Sequence, residues 1–193
     1  MTWPLALKTS FWRVGAATAG LALLAACSSH DDAGDWIGDV VTANDYEAVM
    51  GWVPGATSIT RDHAHSGRYA DRVDAAHEWG VTFQAPLGQA SVHALRGLDI
   101  EAWAYAKEVQ PAATASLQVE VWAHGPGQDP APLFSGSMPL AAQLQDSCVW
   151  TKVNSRFTLP PSMPYDANLR IFLWRSTAKK AAYLDDIRVK ALE

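Results

Sequence analysis

The chain has 193 residues, 49% hydrophobic and 10% aromatic with nine tryptophans, and its 15 basic against 20 acidic side chains give a formal charge of −5. That acidic balance excludes nucleic acid as an expected partner. Two cysteines cannot build a disulfide scaffold, and the length suits one domain whose core is large enough to do without staples.

Residues 1–26 read as an export address. Lys8 and Arg13 give a positive start, Val14 to Ala26 a short apolar run, and Leu24-Ala25-Ala26-Cys27 closes it. A run of about 13 residues is too short to span a bilayer. The Leu-Ala-Ala-Cys tetrad resembles a bacterial lipobox. The resemblance implies cleavage before Cys27, diacylglycerol on its thiol and, usually, a fatty acyl chain such as palmitate on the new amino terminus. The alternative is an ordinary secretory peptide cut at Ala-x-Ala, with Cys27 merely nearby. Each buried acyl CH₂ contributes roughly 0.8 kcal/mol, so two or three chains hold a protein on a membrane without a spanning segment. A lipid-anchored place in the cell envelope, at the outer membrane, is therefore expected. Blocking Cys27 leaves Cys148 as the only thiol, which rules out an intramolecular disulfide; Cys148 is expected to be a small buried apolar residue.

Removing residues 1–26 takes two basic side chains and no acidic one, so the mature chain of 167 residues carries 13 basic and 20 acidic groups, a formal charge of −7. Ser28 to Asp39 is polar and acidic, with only Trp36 and Ile37 as bulky apolar residues, and reads as a tether. Residues 27–43 thus form the lipidated cysteine and an acidic linker. Ser28-Ser29-His30-Asp31-Asp32 resembles the surface-export signal of Bacteroidetes-type lipoproteins, which implies surface exposure. Ser28 in place of Asp does not meet the inner-membrane retention rule.

From residue 44 to 193 the pattern changes to short strands punctuated by Gly, Pro, Asn and Asp, the signature of an all-β sandwich. Strands are expected near 45–50, 57–61, 68–74, 78–84, 92–106, 115–124, 149–159, 168–175 and 182–190, with a helical turn or two over 139–146 and a loop over 125–132. Three strands share one alternation. Leu98, Ile100, Ala102 and Ala104 oppose Asp99, Glu101, Trp103 and Tyr105; Leu117, Val119 and Val121 oppose Gln118, Glu120 and Trp122; Leu169, Ile171 and Leu173 oppose Arg170, Phe172 and Trp174. One side is aliphatic and the other mixes large aromatics with charges. If the three share a sheet, Trp103, Tyr105, Trp122 and Trp174 gather on its outer surface beside Glu101, Glu120 and Arg170. Trp52, Trp79 and Trp150 are assigned to the core or to strand ends.

Near the C-terminus, Tyr183-Leu184-Asp185-Asp186-Ile187-Arg188-Val189 places two carboxylates inside a strand pattern. A period of two puts Asp185 on the side of Tyr183, Ile187 and Val189. An inward carboxylate needs a cation, a metal ion or several backbone N–H groups.

Several landmarks then arrive in order: Asn44-Asp45-Tyr46-Glu47 with Gly51-Trp52, His65-Ser66-Gly67-Arg68-Tyr69, Trp150-Thr151-Lys152-Val153 leading to Phe157-Thr158-Leu159-Pro160, and Tyr183-Leu184-Asp185-Asp186-Ile187. Over residues 44–191 this order resembles the carbohydrate-binding jelly-roll modules of the galactose-binding-like superfamily. The resemblance implies a jelly-roll β-sandwich of two antiparallel sheets and a structural calcium ion. Carried over residue by residue, the calcium would be held by Glu47 and the Asp185 side chain, with backbone carbonyls around His65 and Ser66 and the Asp62 side chain. The alternative is that Asp185 or Asp186 caps a turn or pairs with Arg61 or Arg68. Asp71 departs from the apolar residue usual after the Gly-x-Tyr turn.

Indole and phenol rings stack on the apolar faces of sugars while carboxylate and guanidinium groups fix hydroxyls, so the aromatic and charged face is the candidate glycan site, with Trp103, Tyr105, Trp122, Trp174, Glu101, Glu120 and Arg170 as its residues. The competing expectation covers these tryptophans with loops, as a second small core. A non-catalytic binding module comes first, a lipoprotein docking an envelope protein through the same face second, and a hydrolase using Glu101 and Glu120 third. His63 and His65 lack a third ligand at zinc spacing, and no Gly-x-Ser-x-Gly, phosphate loop or dinucleotide fingerprint occurs.

Overall fold

The computed structural model describes residues 39–48, 52, 57–110 and 114–192; the expected signal peptide, Cys27 and the acidic linker up to residue 38 lie outside the described residues. The strands are β1 (Val40–Asn44), β2 (Ile59–Thr60), β3 (Ala70–Val73), β4 (Phe83–Pro86), β5 (Gly97–Ala106), β6 (Ser116–Trp122), β7 (Phe134–Pro139), β8 (Thr151–Thr158), β9 (Asn168–Trp174) and β10 (Ala182–Leu192). A single helical turn, α1 (Leu87–Ala90), follows β4, and a 3-10 turn (Leu140–Ala142) follows β7. No described helix is long and apolar enough to cross a membrane.

Two antiparallel sheets form the sandwich: β2-β3-β10-β5-β8, with β1 also pairing β10, and β4-β9-β6-β7. This is the two-sheet sandwich expected from the strand pattern, with the jelly-roll architecture that the resemblance implies. Leu98, Ile100 and Val189 of the first sheet meet Leu117, Val119, Val121, Leu169, Ile171 and Leu173 of the second, all without solvent exposure. Burying each such side chain is worth roughly 1.5–3 kcal/mol. β10 is the hub of the first sheet, pairing β5 along one edge, and β3 and then β1 along the other.

Four expectations change. First, β5 lies in the first sheet while β6 and β9 lie in the second, so the three aromatic-and-charged strand faces do not share a sheet.

Second, Asp185 does not point inward with Ile187 and Val189. Tyr183 and Asp185 pair with the outward residues Tyr105 and Trp103, and the ladder then shifts before Arg188 meets Glu101. Two residues, Asp186 and Ile187, thus face Ala102 alone. Asp186 takes the left-handed conformation, φ 48°, that this bulge needs, and the bulge reverses the alternation so that Ile187 and Val189 enter the core.

Third, Cys148 is exposed rather than buried. It turns the chain into β8 with φ 63° and donates its N–H to Ala106 O at 2.8 Å, which leaves the thiol outside the sandwich.

Fourth, the first strand is Val40–Asn44, set by Val40, Val41 and Thr42, not 45–50. Asn44 and Asp45 instead turn the chain, Asn44 Oδ1 accepting the Tyr46 N–H at 2.8 Å and Asp45 Oδ1 the Glu47 N–H at 3.1 Å.

Candidate functional site

The outer face of the second sheet is the candidate site. Because every second residue of β6 and β9 fills the core, the others must face out, and the register sets them side by side: Ser116 with Trp174, Gln118 with Phe172, Glu120 with Arg170, and Trp122 with Asn168. β7 adds Ser135 beside Glu120 and Ser137 beside Gln118; β4 adds Gln84 beside Arg170. From Ser116 to Trp122 the face runs about 20 Å along the strand.

A tryptophan stands at each end. At one, the Trp122 indole donates to Glu120 Oε2 at 2.7 Å, and the same oxygen meets Arg170 at 3.3 Å. The Arg170 guanidinium lies 5.2 Å from the centre of the Phe172 ring, and its Nε has no partner in the protein. At the other end Trp174 donates to Glu78 Oε1 at 3.4 Å and is stacked on Trp79, centroids 5.5 Å apart and planes 9° off parallel. Trp79 is 52% exposed. Between them, Gln118 donates to Ser137 Oγ at 2.8 Å. The floor thus alternates flat aromatic surface with fixed donors and acceptors, and its ion pair is internally neutral.

Trp79 reaches this face through a local irregularity. It bridges Trp174, and Phe83 pairs with Ile171, so four steps on one strand span three on the other. The Val81 N–H is received by the buried Asp71 Oδ2 at 3.0 Å. A Cβ on Gly80 would collide with that carboxylate, so the passage requires glycine. Trp79 completes the face although the sequence assigned it no role there, and Phe172, placed on this side by the alternation, lies between Trp174 and Arg170 without having been counted among the site residues. The strand-end position given to Trp79 is compatible with either burial or exposure, and a lone Trp does not reveal which.

Trp103, Tyr105 and Glu101 lie on the opposite side of the molecule. The Arg61–Arg68 segment crosses the outer face of the first sheet, and its rings lie over Trp103 and Tyr105. His65 stacks on Trp103 at 3.8 Å, 14° from parallel, with Trp150 edge-on at 5.7 Å, and His63 stacks on Tyr105 at 4.7 Å. Tyr183 is fully buried beneath, edge-on to both His63 and Tyr105. These rings form a small outer cluster of the kind that competed with the glycan expectation: Tyr105 is buried in it, while Trp103 is half-buried, as Trp122 and Trp174 are on the other sheet. Glu101 pairs with Lys152 at 3.1 Å on the surface. Glu101 and Glu120 therefore face away from one another across the sandwich and cannot flank one glycosidic bond.

Carboxylates tie that segment down. Asp185 Oδ2 accepts the N–H groups of His65 at 2.8 Å and Ser66 at 3.1 Å, and its Oδ1 that of Asp186 at 2.8 Å. Burial pushes its pKa up to about 6, against the pull of these three N–H groups. Asp186 holds His65 Nδ1 at 2.6 Å and the Ser66 hydroxyl at 2.8 Å. Glu47 Oε1 accepts from Arg68 N at 2.5 Å and Tyr69 N at 2.8 Å, and Gly67, φ 56°, leaves room for that carboxylate where any side chain would collide with it. Asp62 pairs with Arg72 at 2.7 Å.

Of the three partners open to Asp185, backbone N–H groups are the ones it meets. The implied calcium is tested by the same contacts. Asp185 Oδ2 and Glu47 Oε1 each accept two backbone N–H groups, Asp62 is engaged by an arginine, and no group of three or more His, Cys, Asp or Glu able to hold a metal occurs among the described residues. The donor set as it stands does not fit a calcium ion, which rests on the resemblance alone. Melting with and without a chelator is expected to give the same midpoint; a midpoint lowered by the chelator would restore the ion, since a ligand of the folded state stabilises it.

No family model and no curated protein matches the chain. The sandwich is similar in fold to solved carbohydrate-binding modules. The tandem CBM22-1–CBM22-2 domain of Paenibacillus barcinonensis Xyn10C is similar with TM-score 0.54 and 15% identity, over 81% of this chain and 47% of that one. The C-terminal family 22 carbohydrate-binding module of Clostridium thermocellum Xyn10B is similar with TM-score 0.50 and 12% identity, over 80% of this chain and 96% of that one. At these identities the likeness establishes the fold.

Proposed function

We propose that this protein is a lipid-anchored, non-catalytic module of the cell envelope that binds a polysaccharide along the outer face of the second sheet. The observation that carries the reading is the pair of indole surfaces, half-buried Trp122 at one end and exposed Trp79 on half-buried Trp174 at the other, with the Glu120–Arg170 pair and the buried Gln118 between them. An extended sugar chain offers flat apolar faces and hydroxyls in alternation, and this floor offers stacking surfaces and hydrogen-bonding groups in alternation. The carbohydrate-binding modules that share the fold support the choice of ligand class. The lipobox-like Leu24-Ala25-Ala26-Cys27 supports the anchor.

Affinity electrophoresis and calorimetry with xylan, β-glucan and mannan provide the test. Trp122→Ala and Trp174→Ala are each expected to weaken binding about tenfold or more, ~1.4 kcal/mol, and Trp103→Ala to leave it unchanged once folding is confirmed. Failure of the wild type to bind any polysaccharide, or equal binding by all three variants, would remove the glycan reading.

A further inference from the structure

The two ends of the sandwich expose different surfaces. Register places Gly97, Thr158, Leu192 and Val40 at one end of the first sheet. The short links from Pro86 through α1 to Gly97, and from Thr158 to Asn168, bring the Pro86, Asn168 and Trp122 end of the second sheet to the same place. Six large hydrophobic side chains are exposed among the described residues, and four belong here: Val92 at 84%, Tyr165 at 75%, Leu133 at 44% and Val40 at 39%. The other two, Trp79 and Val149, lie at the far end, beside Trp174 and Cys148.

Local structure holds these side chains out. The Gly88 N–H donates to Tyr165 O at 2.9 Å, and the Tyr165 ring lies across Gly88, where any Cβ would collide with it. Val92 follows two residues after α1 on the link to β5. Leu133 donates its N–H to Val121 O at 2.7 Å, which fixes it next to Trp122. Charges at this end are largely paired with one another: Arg156 with Asp99 at 3.1 Å and His124 with Asp129 at 2.8 Å. His93 and Arg96 follow Val92 on the same link, and Asp166 follows Tyr165.

This is also the end at which the chain enters. Twelve residues, 28–39, separate Cys27 from β1, a reach of at most about 40 Å. A tether of that length holds the entering end near whatever carries the anchor, at high effective concentration. Valine, leucine and a tyrosine with a polar tip are side chains that the headgroup–acyl boundary accepts.

We propose that this end of the sandwich rests on the lipid surface that carries the anchor, with Val92, Leu133 and Tyr165 inserted at the headgroup level. The strands then stand away from the bilayer, and the glycan face runs outward from Trp122 near the lipid to Trp79 and Trp174 at the distal tip. The inference depends on the lipid anchor at Cys27 and adds an orientation to it.

Once Cys27 is acylated, Cys148 is the one free thiol, and its N–H bond to Ala106 O places it at the far end. The lipidated protein is reconstituted into phosphatidylcholine vesicles with an environment-sensitive fluorophore either on native Cys148 or on position 92 of the Val92→Cys/Cys148→Ser variant. The label at position 92 is expected to shift to the blue and to be quenched by doxyl-labelled lipid, while the label on Cys148 does neither. Co-flotation with vesicles but the same response at both positions overturns the orientation and leaves the anchor standing. A protein that does not float with the vesicles overturns the anchor, and the orientation with it.

Discussion

Raising the pH from 4 to 8 should lower the stability of the domain by on the order of 4 kcal/mol, and Asp71→Asn should remove most of that slope. Asp71 sits in β3 between Ile59 and Leu184 with no solvent exposure. One oxygen receives the Val81 N–H; the other has no partner. Burial pushes its pKa up to about 7, against the nearby Ser58 hydroxyl and the Val81 N–H, which favour the charge. A carboxyl with a folded pKa above its unfolded value of 3.8 contributes stability that is complete below about pH 4 and lost as the pH rises through 7. Asp185, pushed up to about 6, adds to the same trend. Asp129, held down to about 2 chiefly by its bond with His124, works in the opposite sense at lower pH. Stability should therefore be greatest near pH 4 to 5. Urea midpoints at pH 5 and pH 8 measure the effect. The asparagine variant, with an unpaired amide nitrogen in the core, should be weaker than wild type at pH 5 and close to it at pH 8. Equal wild-type midpoints at the two values would show that Asp71 does not titrate in this range.

The second large effect concerns the Arg61–Arg68 segment. Asp185→Ala strips three backbone N–H groups, those of His65, Ser66 and Asp186, of their acceptor in a site where Asp185 has no solvent exposure. Each unsatisfied buried donor costs about 1–3 kcal/mol, so a loss of ~3 kcal/mol or more is expected. The segment should lift from the first sheet, exposing Trp103 and Tyr183. Tryptophan emission should move to the red, and amide exchange at residues 63–66 should accelerate. Asp185→Asn keeps an acceptor oxygen and should lose less. An alanine variant that melts with the wild type would mean that the ring stacking of His65 on Trp103 holds the segment without the carboxylate.

The fold was legible because the aliphatic alternation in β5, β6 and β9 is unbroken, and each such strand needs a facing sheet. Which strands share a sheet was not legible, since β5 and β6 carry the same pattern on opposite layers. β7 left almost no trace: Phe134-Ser-Gly-Ser-Met-Pro pairs only with β6 at an edge, and Gly136 is small because the Phe157 ring lies against it. Asp185 was legible as a charge needing partners, but a single-residue bulge reverses the direction in which it points, and bulges are set by pairing rather than by composition. Trp122, Trp174, Glu120 and Arg170 could be placed on one sheet face because charges interrupt an otherwise apolar alternation. Trp79 was missed because its exposure depends on a bulge held by Asp71, a residue noticed only as out of place.

β10 pairs with β1, β3 and β5, all of which precede it along the chain, and it stands between them. Until its eleven residues are in place, β3 and β5 have no common neighbour, and half of the sandwich has no sheet to close against the other. Contacts so distant in sequence make folding slow and bring its decisive step late in synthesis. For the exported chain proposed above, that delay would be useful: the polypeptide would stay pliable through translocation, and its shape would be completed only on the far side.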